Sequence, residues 1–382
     1  MTERVVAEVF PPGELIREEL ESRGWTQNDL AEILGRPPRL VSEVISGKRA
    51  ITPETAQGLA DALGTDAQLW MNLETAYQLH RLRKKDGDVA RRAKLYSFAP
   101  VKEMLRRHWI APSENLDVIE KQLISFFQVK SLDESIEFSR YAARKTHYNP
   151  QPSSTEHAWL FRAKQIAHAT PTNGLFTKAK LATLFEHLRS LVLSAQEVRH
   201  VPRLMSQTGI RFVVVEPLAK TKIDGACLWQ DNDPSKPIVA LSIRYDRIDW
   251  FWHTLMHELY HVQHGDGLTG ELAVDIDMFR ESSPANQRPE RELRADRFAS
   301  TFLIPKEELD DFIGRIGPLY SKAAIRNFAN RIRVHAGLVV GQLQFRGEIP
   351  YTHSREMLDK VREMLTESSL TDGWGRTVML SR

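Results

Sequence analysis

The residues best suited to catalysis or metal binding lie in one short run of the sequence, HELYH at positions 257–261. A helical pattern surrounds this run, so His257 and His261, four residues apart, project from one helix face. Two neutral imidazoles at that spacing can bind one Zn²⁺. Glu258 is offset by one position, and its carboxylate can take the proton of a zinc-bound water as the resulting hydroxide attacks a carbonyl. The run therefore predicts metallopeptidase chemistry, with Glu258 as the base and Zn²⁺ as the cofactor.

A third metal ligand is predicted in the segment ERELRADRFA, residues 290–299. Glu292 precedes Asp296 by four residues, so both side chains share one face of a helix. In this arrangement Glu292 binds the metal, while Asp296 accepts a hydrogen bond from the outer ring nitrogen of a ligand histidine. Glu290 is the competing carboxylate, and the register of the segment favours Glu292. Because HExxH runs also occur by chance among core and surface histidines, the metal prediction depends on this second segment.

Other polar residues close to HELYH have weaker predicted roles. His253 lies four residues before His257, where a packed core histidine is the favoured interpretation, and His264 is expected to lie off the metal. Tyr260 and Tyr245 are candidate donors to a transition state, but packing explains them at least as well. The sequence therefore assigns no transition-state stabiliser.

Three strand-like runs precede the metal-binding helix and are the elements that must position it. They are residues 211–216, 225–229 and 237–243, which are rich in β-branched and other apolar side chains. The region before them is largely helical in its apolar spacing. The predicted fold class is therefore mainly α with a small β-sheet, an α+β architecture.

Length, charge and cysteine content limit the classes of protein that fit. At 382 residues the chain is long enough for more than one domain. The formal net charge is only +2, so any binding to nucleic acid must come from local patterning. A single cysteine, Cys227, excludes an internal disulfide. With no secretory signal pattern and no apolar run of about 18 residues, we expect a soluble cytoplasmic protein that does not enter a membrane.

The first 82 residues contain the capping residues and glycines expected at the ends of five short helices. Thr26 and Asp29 form a variant capping box, with a hydroxyl first and a carboxylate three residues later. Glycine ends the second helix at Gly35 and the third at Gly47. The tight turn between these helices predicts a helix-turn-helix domain at residues 1–82. A helical connector at 83–200 and a metallopeptidase domain at 201–382 complete the predicted organisation.

Two stretches of the N-terminal region resemble a known motif. TQNDLAEILG at residues 26–35 resembles the opening of the Xre/Cro-type helix-turn-helix, and VSEVISGKR at residues 41–49 resembles its recognition helix and exit. Residues 51–73 are similar to the HigA antitoxin branch of that family. The resemblance covers most of residues 1–82 and implies a five-helix, lambda-repressor-like domain.

The resemblance also implies which residues contact DNA. The family pattern places residues 37–46 in the major groove. The side chains expected at base edges are Arg39, Ser42 and Glu43. Those expected at phosphates, which fix register, are Arg36, Lys48 and Arg49. Two prolines at 37–38 replace the small polar residues usual in the family, and the alternative is a domain that only dimerises or binds a protein partner.

The C-terminal region resembles a second family. Residues 249–261 look like the active helix of the ImmA/IrrE metallopeptidases, residues 292–305 are similar to their second signature, and residues 336–344 fit a late segment of that family. The resemblance implies a gluzincin-like metallopeptidase fold, whose members cleave or regulate repressor and antitoxin proteins. Arg294 departs from the pattern, since the family more often has an acid there.

Together these patterns predict an antitoxin-like, DNA-binding transcriptional regulator fused to a zinc-dependent endopeptidase. Its expected partners are double-stranded operator DNA, read by a homodimer, and a regulatory protein as substrate: a repressor, an antitoxin or the chain itself. A cognate toxin is a further candidate partner. The alternative is a non-proteolytic antitoxin-like repressor whose zinc-site domain senses or binds a partner. For the connector, the sequence leaves open ordinary core packing, a sensor surface or a cover for the catalytic domain.

Overall fold

A computed structural model of the chain describes residues 10–83, 87–134, 153–268, 273–276, 289–376 and 378–380. Its contacts group into two compact units, residues 1–94 and residues 95–382. The three-part division of the chain at residues 82 and 200 stays a prediction. Most of the predicted connector belongs to the same compact unit as the metallopeptidase region.

Over its described residues, the first unit consists of five helices and the start of a sixth. Their bounds are α1 Pro12–Arg23, α2 Gln27–Ile33, α3 Pro38–Ile45, α4 Pro53–Leu63, α5 Ala67–Arg83 and α6 Gly87–Phe98. Proline in the first turn begins α1, α3 and α4, where its missing N–H leaves no helical hydrogen bond unmade. At the start of α2 the Thr26 hydroxyl accepts from the amide of Asp29 at 3.2 Å, and the Asp29 carboxylate accepts from the amide of Thr26 at 2.7 Å. The predicted capping box is therefore present.

Helix α3 divides its side chains between the core and the surface of this unit. Its buried side chains are Val41, Val44 and Ile45. They pack with apolar residues of the other helices, which are Ile16, Leu20, Leu30, Ala31, Ile51, Ala56, Leu59, Ala60, Leu63 and Trp70. Helix α1 approaches α3 closely because position 13 is glycine: a Cβ on Gly13 would lie 2.1 Å from the carbonyl oxygen of Ile45. The succession of α2, a turn and α3 confirms the predicted helix-turn-helix domain.

The described residues of the second unit contain a five-stranded sheet with the strand order β4-β2-β3-β1-β5. The strands are β1 Arg211–Val215, β2 Ile223–Trp229, β3 Pro237–Leu241, β4 Ala273–Ile276 and β5 Thr371–Asp372. β1 is parallel to β3 and β5, whereas β2 is antiparallel to β3 and β4. The three predicted strands are confirmed as β1, β2 and β3. The edge strands β4 and β5 are only four and two residues long, too short for a periodic sequence signal.

Helices of the predicted connector cover one face of this sheet. They are α6 from Leu95 onward, α7 Val101–Arg106, α8 Leu116–Phe127 and α9 Ser154–Ala169. Their buried side chains share one hydrophobic core with alternate strand residues, among them Val213, Val215, Ala226 and Ala240. Successive side chains of a strand point to opposite faces, so the intervening strand residues face the other side. The sequence leaves open whether the connector forms ordinary core packing, a sensor surface or a cover for the catalytic domain. These four helices form core packing that covers one face of the sheet.

The opposite face of the sheet carries a second layer of helices. They are α10 Ala179–Leu191, α11 Val201–Thr208, α12 Ile248–His264, α13 Glu290–Leu303, α14 Lys306–Ile316, α15 Lys322–Arg331, α16 Ala336–Phe345 and α17 Arg362–Ser368. Helix α12 bears HELYH and packs Phe251 and Leu255 into a core shared with Val214 and Cys227 of the strands. A mainly helical chain with one small sheet is the predicted fold class. In the described part of the chain, no helix combines the length and apolar character needed to cross a membrane.

Candidate metal centre

The HELYH residues with chemically reactive side chains are buried in helix α12. The exposed fractions of His257 and Glu258 are 0%, and that of His261 is 1%. The helix ends at Gly265, whose φ of 75° lies in the left-handed region. Glycine adopts that conformation without strain, so the chain can turn sharply one residue after the helix.

Helix α13 brings a carboxylate to the two histidines. Their Nε2 atoms lie 3.0 Å apart, and Oε2 of Glu292 lies 3.1 Å from that of His257 and 3.3 Å from that of His261. Ligand atoms in a tetrahedral zinc site, each about 2.0–2.2 Å from the ion, lie roughly 3.3 Å from one another. Among the described residues, these three are the one group of His, Cys, Asp or Glu side chains whose ligand atoms all lie within 4.8 Å of one another. The donor set therefore fits a single metal ion.

Each histidine is hydrogen-bonded to a carboxylate at Nδ1, the ring nitrogen that faces away from the other ligand atoms. Nδ1 of His257 donates to Oδ1 of Asp296 at 3.0 Å, and Nδ1 of His261 donates to Oδ2 of Asp266 at 2.7 Å. Because an ionised carboxylate only accepts, each ring carries a proton on Nδ1 and turns Nε2 towards the other ligand atoms. Asp296 therefore lies where the sequence predicts it.

Asp266 is the residue of this centre that sequence reasoning missed. It follows the glycine that ends α12, so it has no helical spacing from His261. The indole nitrogen of Trp229 on β2 donates to the carbonyl oxygen of Asp266 at 2.7 Å and anchors the turn. The one signal available in the sequence is a Gly-Asp pair directly after the metal helix.

Hydrogen bonds within the centre change the proton affinities of its side chains. Burial lowers the pKa of His261, but hydrogen bonds to Asp266 and Glu292 outweigh it and raise that pKa to about 9. Burial disfavours the charged form of Glu292, yet hydrogen bonds from His257 and His261 hold its pKa well below the usual range. A metal cation that binds here must therefore displace the proton that His261 holds near neutral pH.

Glu258 lies in the same buried environment but is not part of the ligand group. Burial raises the pKa of its carboxyl to about 7, against the opposing charges of His257 and His261. Within the described residues neither of its carboxylate oxygens has a hydrogen-bond partner. Burying an unpaired carboxylate is unfavourable, so this position requires an explanation such as a catalytic role or a bound ion or water. A carboxyl whose pKa lies near neutrality can both accept and return a proton.

The other residues discussed near HELYH lie outside the ligand group. The side chain of Glu290 is 77% exposed and pairs with Arg294 at 2.5 Å, so Arg294 contacts this carboxylate rather than a ligand. Nε2 of His253 lies 3.4 Å from a serine hydroxyl on α13. His264 stacks on Tyr260, with ring centroids 3.9 Å apart. Of the two candidate carboxylates on α13, it is Glu292 that the fold brings to the histidines.

The residues predicted to contact DNA lie on the exposed side of α3 and in the turns beside it. Nε of Arg39 donates to Oε1 of Glu43 at 2.8 Å, and Nε of Arg49 lies 3.6 Å from Oε2 of Glu43. The hydrogen bond from Arg39 and the charges of Arg39 and Arg49 lower the pKa of Glu43. Ser42 and Lys48 are exposed, and Arg36 pairs with a glutamate on α4. All six residues are therefore at or near the surface, and their contact with DNA stays a prediction.

Comparison with known proteins assigns two domains. A family model described as helix-turn-helix matches residues 16–70. A peptidase family model described as the IrrE N-terminal-like domain matches residues 206–343, a range that contains HELYH and Glu292.

Individual relatives each match less than a third of the chain. Virulence-associated protein I of Dichelobacter nodosus is 42% identical over 69 residues, which are 18% of this chain and 64% of that protein. The uncharacterized HTH-type transcriptional regulator YddM of Escherichia coli is 33% identical over 84 residues, which are 22% of this chain and 88% of that protein. A solved addiction module antidote protein of a HigA family from Coxiella burnetii is 30% identical. That match covers 28% of this chain and 99% of the antidote protein, with a TM-score of 0.20.

Proposed function

Because the chain belongs to the helix-turn-helix transcriptional regulators and carries an IrrE N-terminal-like domain, we propose that it is a DNA-binding regulator with a zinc-dependent endopeptidase activity. The proposed substrate is a specific regulatory protein: a repressor, an antitoxin or the chain itself. One observation carries the enzymatic part of the proposal. Three ligand side chains, His257, His261 and Glu292, converge beside the buried carboxylate of Glu258, for which the described residues provide no hydrogen-bond partner.

Zinc is the metal that suits this donor set. Two imidazole nitrogens and one carboxylate oxygen are ligands typical of catalytic zinc sites, whereas Ca²⁺ and Mg²⁺ prefer oxygen ligands throughout. When bound, zinc supplies a Lewis acid that acidifies water and polarises a peptide carbonyl. Three protein ligands are the usual number for catalytic zinc, which keeps a fourth position for water or substrate.

The protein's own groups have distinct roles in this proposal. Glu258 takes a proton from the attacking water and returns it to the leaving amine. A carboxyl with a pKa of about 7 is suited to both transfers. Asp296 and Asp266 hold the two imidazoles at Nδ1 with Nε2 directed inward, so the ligands are oriented before the metal binds.

The first unit is proposed to bind double-stranded operator DNA through the exposed side of α3. Arg39, Ser42 and Glu43 reach base edges in this proposal. The phosphate contacts come from Arg36, Lys48 and Arg49. Binding exchanges the ion pair between Arg39 and Glu43 for contacts with DNA, and a homodimer reads two half-sites.

The enzymatic proposal is tested by Glu258→Gln, with Glu290→Gln as the matched control on an exposed carboxylate. Wild type and both variants are loaded with zinc and incubated with the chain itself and with the proteins encoded beside it. Mass spectrometry then identifies cleavage products. We expect equal zinc content in all three proteins and cleavage by wild type and Glu290→Gln alone. Equal cleavage by Glu258→Gln would contradict the proposed role of the base.

A second function is favoured by the burial of the site. His257 and His261 are 0% and 1% exposed, and the side chain of Glu292 is 14% exposed. Ligand side chains enclosed by protein restrict the access of a peptide substrate to the metal. The alternative is therefore a non-proteolytic, antitoxin-like repressor whose metal-binding domain senses or binds a partner. In that case Glu258→Gln regulates the operator as wild type does, while His257→Ala does not.

A further inference from the structure

A glycine on strand β2 lies directly against the side chain of Glu258. A Cβ added to Gly225 would lie 2.5 Å from Oε1 and 3.0 Å from Cδ of Glu258, and 2.9 Å from Cγ2 of Thr254. All three separations are shorter than van der Waals contact. Gly225 lies in strand β2, beside a register shift in the β2–β4 ladder between Ile223 and Gly225, and its φ lies outside the left-handed region. The missing side chain is therefore what matters at this position, and glycine inside a strand often marks a bulge or the close approach of another group.

Strand pairing and burial confine both sides of this contact. Gly225 is paired with Leu241 of β3 on one side and with Asp275 of β4 on the other, so the ladder holds its backbone from both directions. On the helix side, Glu258 is 0% and Thr254 is 2% exposed, so both are enclosed by protein. A methyl group at position 225 would therefore displace the carboxylate of Glu258, the methyl of Thr254 or both.

We propose that Gly225 is a positioning residue whose lack of a side chain creates the space in which the Glu258 carboxylate stands beside the metal ligands. The proposal deepens the proposed peptidase function and rests on it for its catalytic consequence. The steric part concerns only the fit between β2 and α12. The atoms that a Cβ at position 225 would meet most closely belong to Glu258 and Thr254 rather than to a ligand side chain, so we expect Gly225→Ala to leave metal binding unchanged.

The steric part is tested by a cycle of variants in the zinc-loaded full-length chain. Gly225→Ala, Glu258→Ala and their combination are compared with wild type by thermal unfolding. We expect Gly225→Ala to lower Tm in the presence of Glu258 and to lower it less once Glu258→Ala has removed the carboxylate. Gly314→Ala is the control, because a Cβ there meets nothing within 4 Å, and its effect on Tm is expected to be the same in both backgrounds.

The same cycle identifies the results that would overturn the proposal. The proposal is overturned if Gly225→Ala lowers Tm equally in the presence and in the absence of the Glu258 carboxylate. Relief by Thr254→Ser, which removes Cγ2, but not by Glu258→Ala would assign the glycine to packing of Thr254 instead. If Gly225→Ala alone does not fold, a folded double variant supports the proposal and an equally unfolded one contradicts it. None of these outcomes depends on peptidase activity.

The catalytic part is measured on the protein substrate that wild type cleaves. Moving a catalytic group by about 1 Å can lower a rate on the order of 100-fold, so Gly225→Ala is expected to lower kcat by that factor with KM and zinc content unchanged. Glu258→Asp shortens the side chain by one methylene. It is expected to lower kcat in wild type but to raise it in Gly225→Ala, where the shorter carboxylate avoids the added methyl. A rise in KM with unchanged kcat, or no rescue by Glu258→Asp, would contradict the positioning role.

Discussion

Helices α12 and α3 bear the two predicted functional sites and hold their polar side chains in opposite ways. On α12 the two histidines are at most 1% exposed, and each has a carboxylate behind it within 3.0 Å. On α3 the side chain of Arg39 is 88% exposed, and its partner Glu43 is a surface carboxylate. Catalysis needs groups whose geometry is fixed before the substrate binds, whereas DNA recognition needs side chains that can exchange an intramolecular partner for DNA. Surface ion pairs of this kind contribute little to stability, so they can open readily.

The largest effect is expected from removing a metal ligand from the buried site. His257→Ala and Glu292→Ala each leave two ligands of the three, so zinc affinity should fall by more than the roughly 10- to 100-fold typical of outer partners. Metal analysis after gel filtration measures the retained zinc. Glu290→Ala is the control because its side chain is 77% exposed and pairs with Arg294. Equal zinc in all four proteins would remove the ligand assignment.

A smaller effect is expected from the carboxylate behind His261. Asp266→Asn keeps the size of the side chain but weakens the hydrogen bond that orients the imidazole, so zinc affinity should fall roughly 10- to 100-fold. Competition with a chromophoric chelator measures the change. Asp311→Asn on α14, whose partner is Arg315 at the surface, should leave the affinity unchanged. Identical affinities for the two variants would show that Asp266 does not support the ligand.

On the exposed helix, the expected effects are on DNA affinity rather than on structure. Arg39→Ala should weaken operator binding by about 1–3 kcal/mol and relax base preference at one position, while leaving Tm nearly unchanged. Band shifts on operator and scrambled DNA measure both effects. Arg17→Ala, at an exposed arginine on α1, is the control. A loss of affinity that is the same for every DNA sequence would make Arg39 a phosphate contact.

The smallest effect is expected at Glu43. Its carboxylate pairs with Arg39 and Arg49, so Glu43→Gln releases both cations and removes a negative charge from the proposed DNA-binding face. Non-specific DNA binding should tighten a few-fold, roughly the equivalent of one surface ion pair. Fluorescence anisotropy on random duplex DNA at two salt concentrations measures it, with Glu18→Gln on α1 as the control. Weaker non-specific binding would contradict an inhibitory role for this carboxylate.

The two sites also differ in how far sequence reasoning reaches. Local spacing predicts that His257 and His261 share one helix face and that Glu292 and Asp296 share another, and the structure has both arrangements. Asp266 escapes that reasoning, since it lies in the turn after α12 and reaches His261 without helical register. Gly225 escapes it as well, because its contact with Glu258 depends on how a strand packs against a helix far along the chain.

The layers of the second unit show the same limit. Strands β1, β2 and β3 are visible as β-branched runs, but apolar periodicity alone does not say which helices cover which face of the sheet. Helices α7, α8 and α9 cover one face through non-local packing with residues such as Val213 and Ala240. On α3 Glu43 is predicted as a DNA contact, but its ion pairs are not predicted. Its carboxylate pairs with Arg39, and the turn after the helix returns Arg49 towards it.

The most direct test of the account is the ratio of cleavage rates of wild type and Glu258→Gln at equal zinc content. A general base contributes on the order of 10²–10⁴ to a rate, and we expect the ratio to lie in that range for the protein substrate. Glu290→Gln measured in the same series should match wild type. A ratio near one would contradict the central claim that the buried carboxylate of Glu258 is the base of a peptidase.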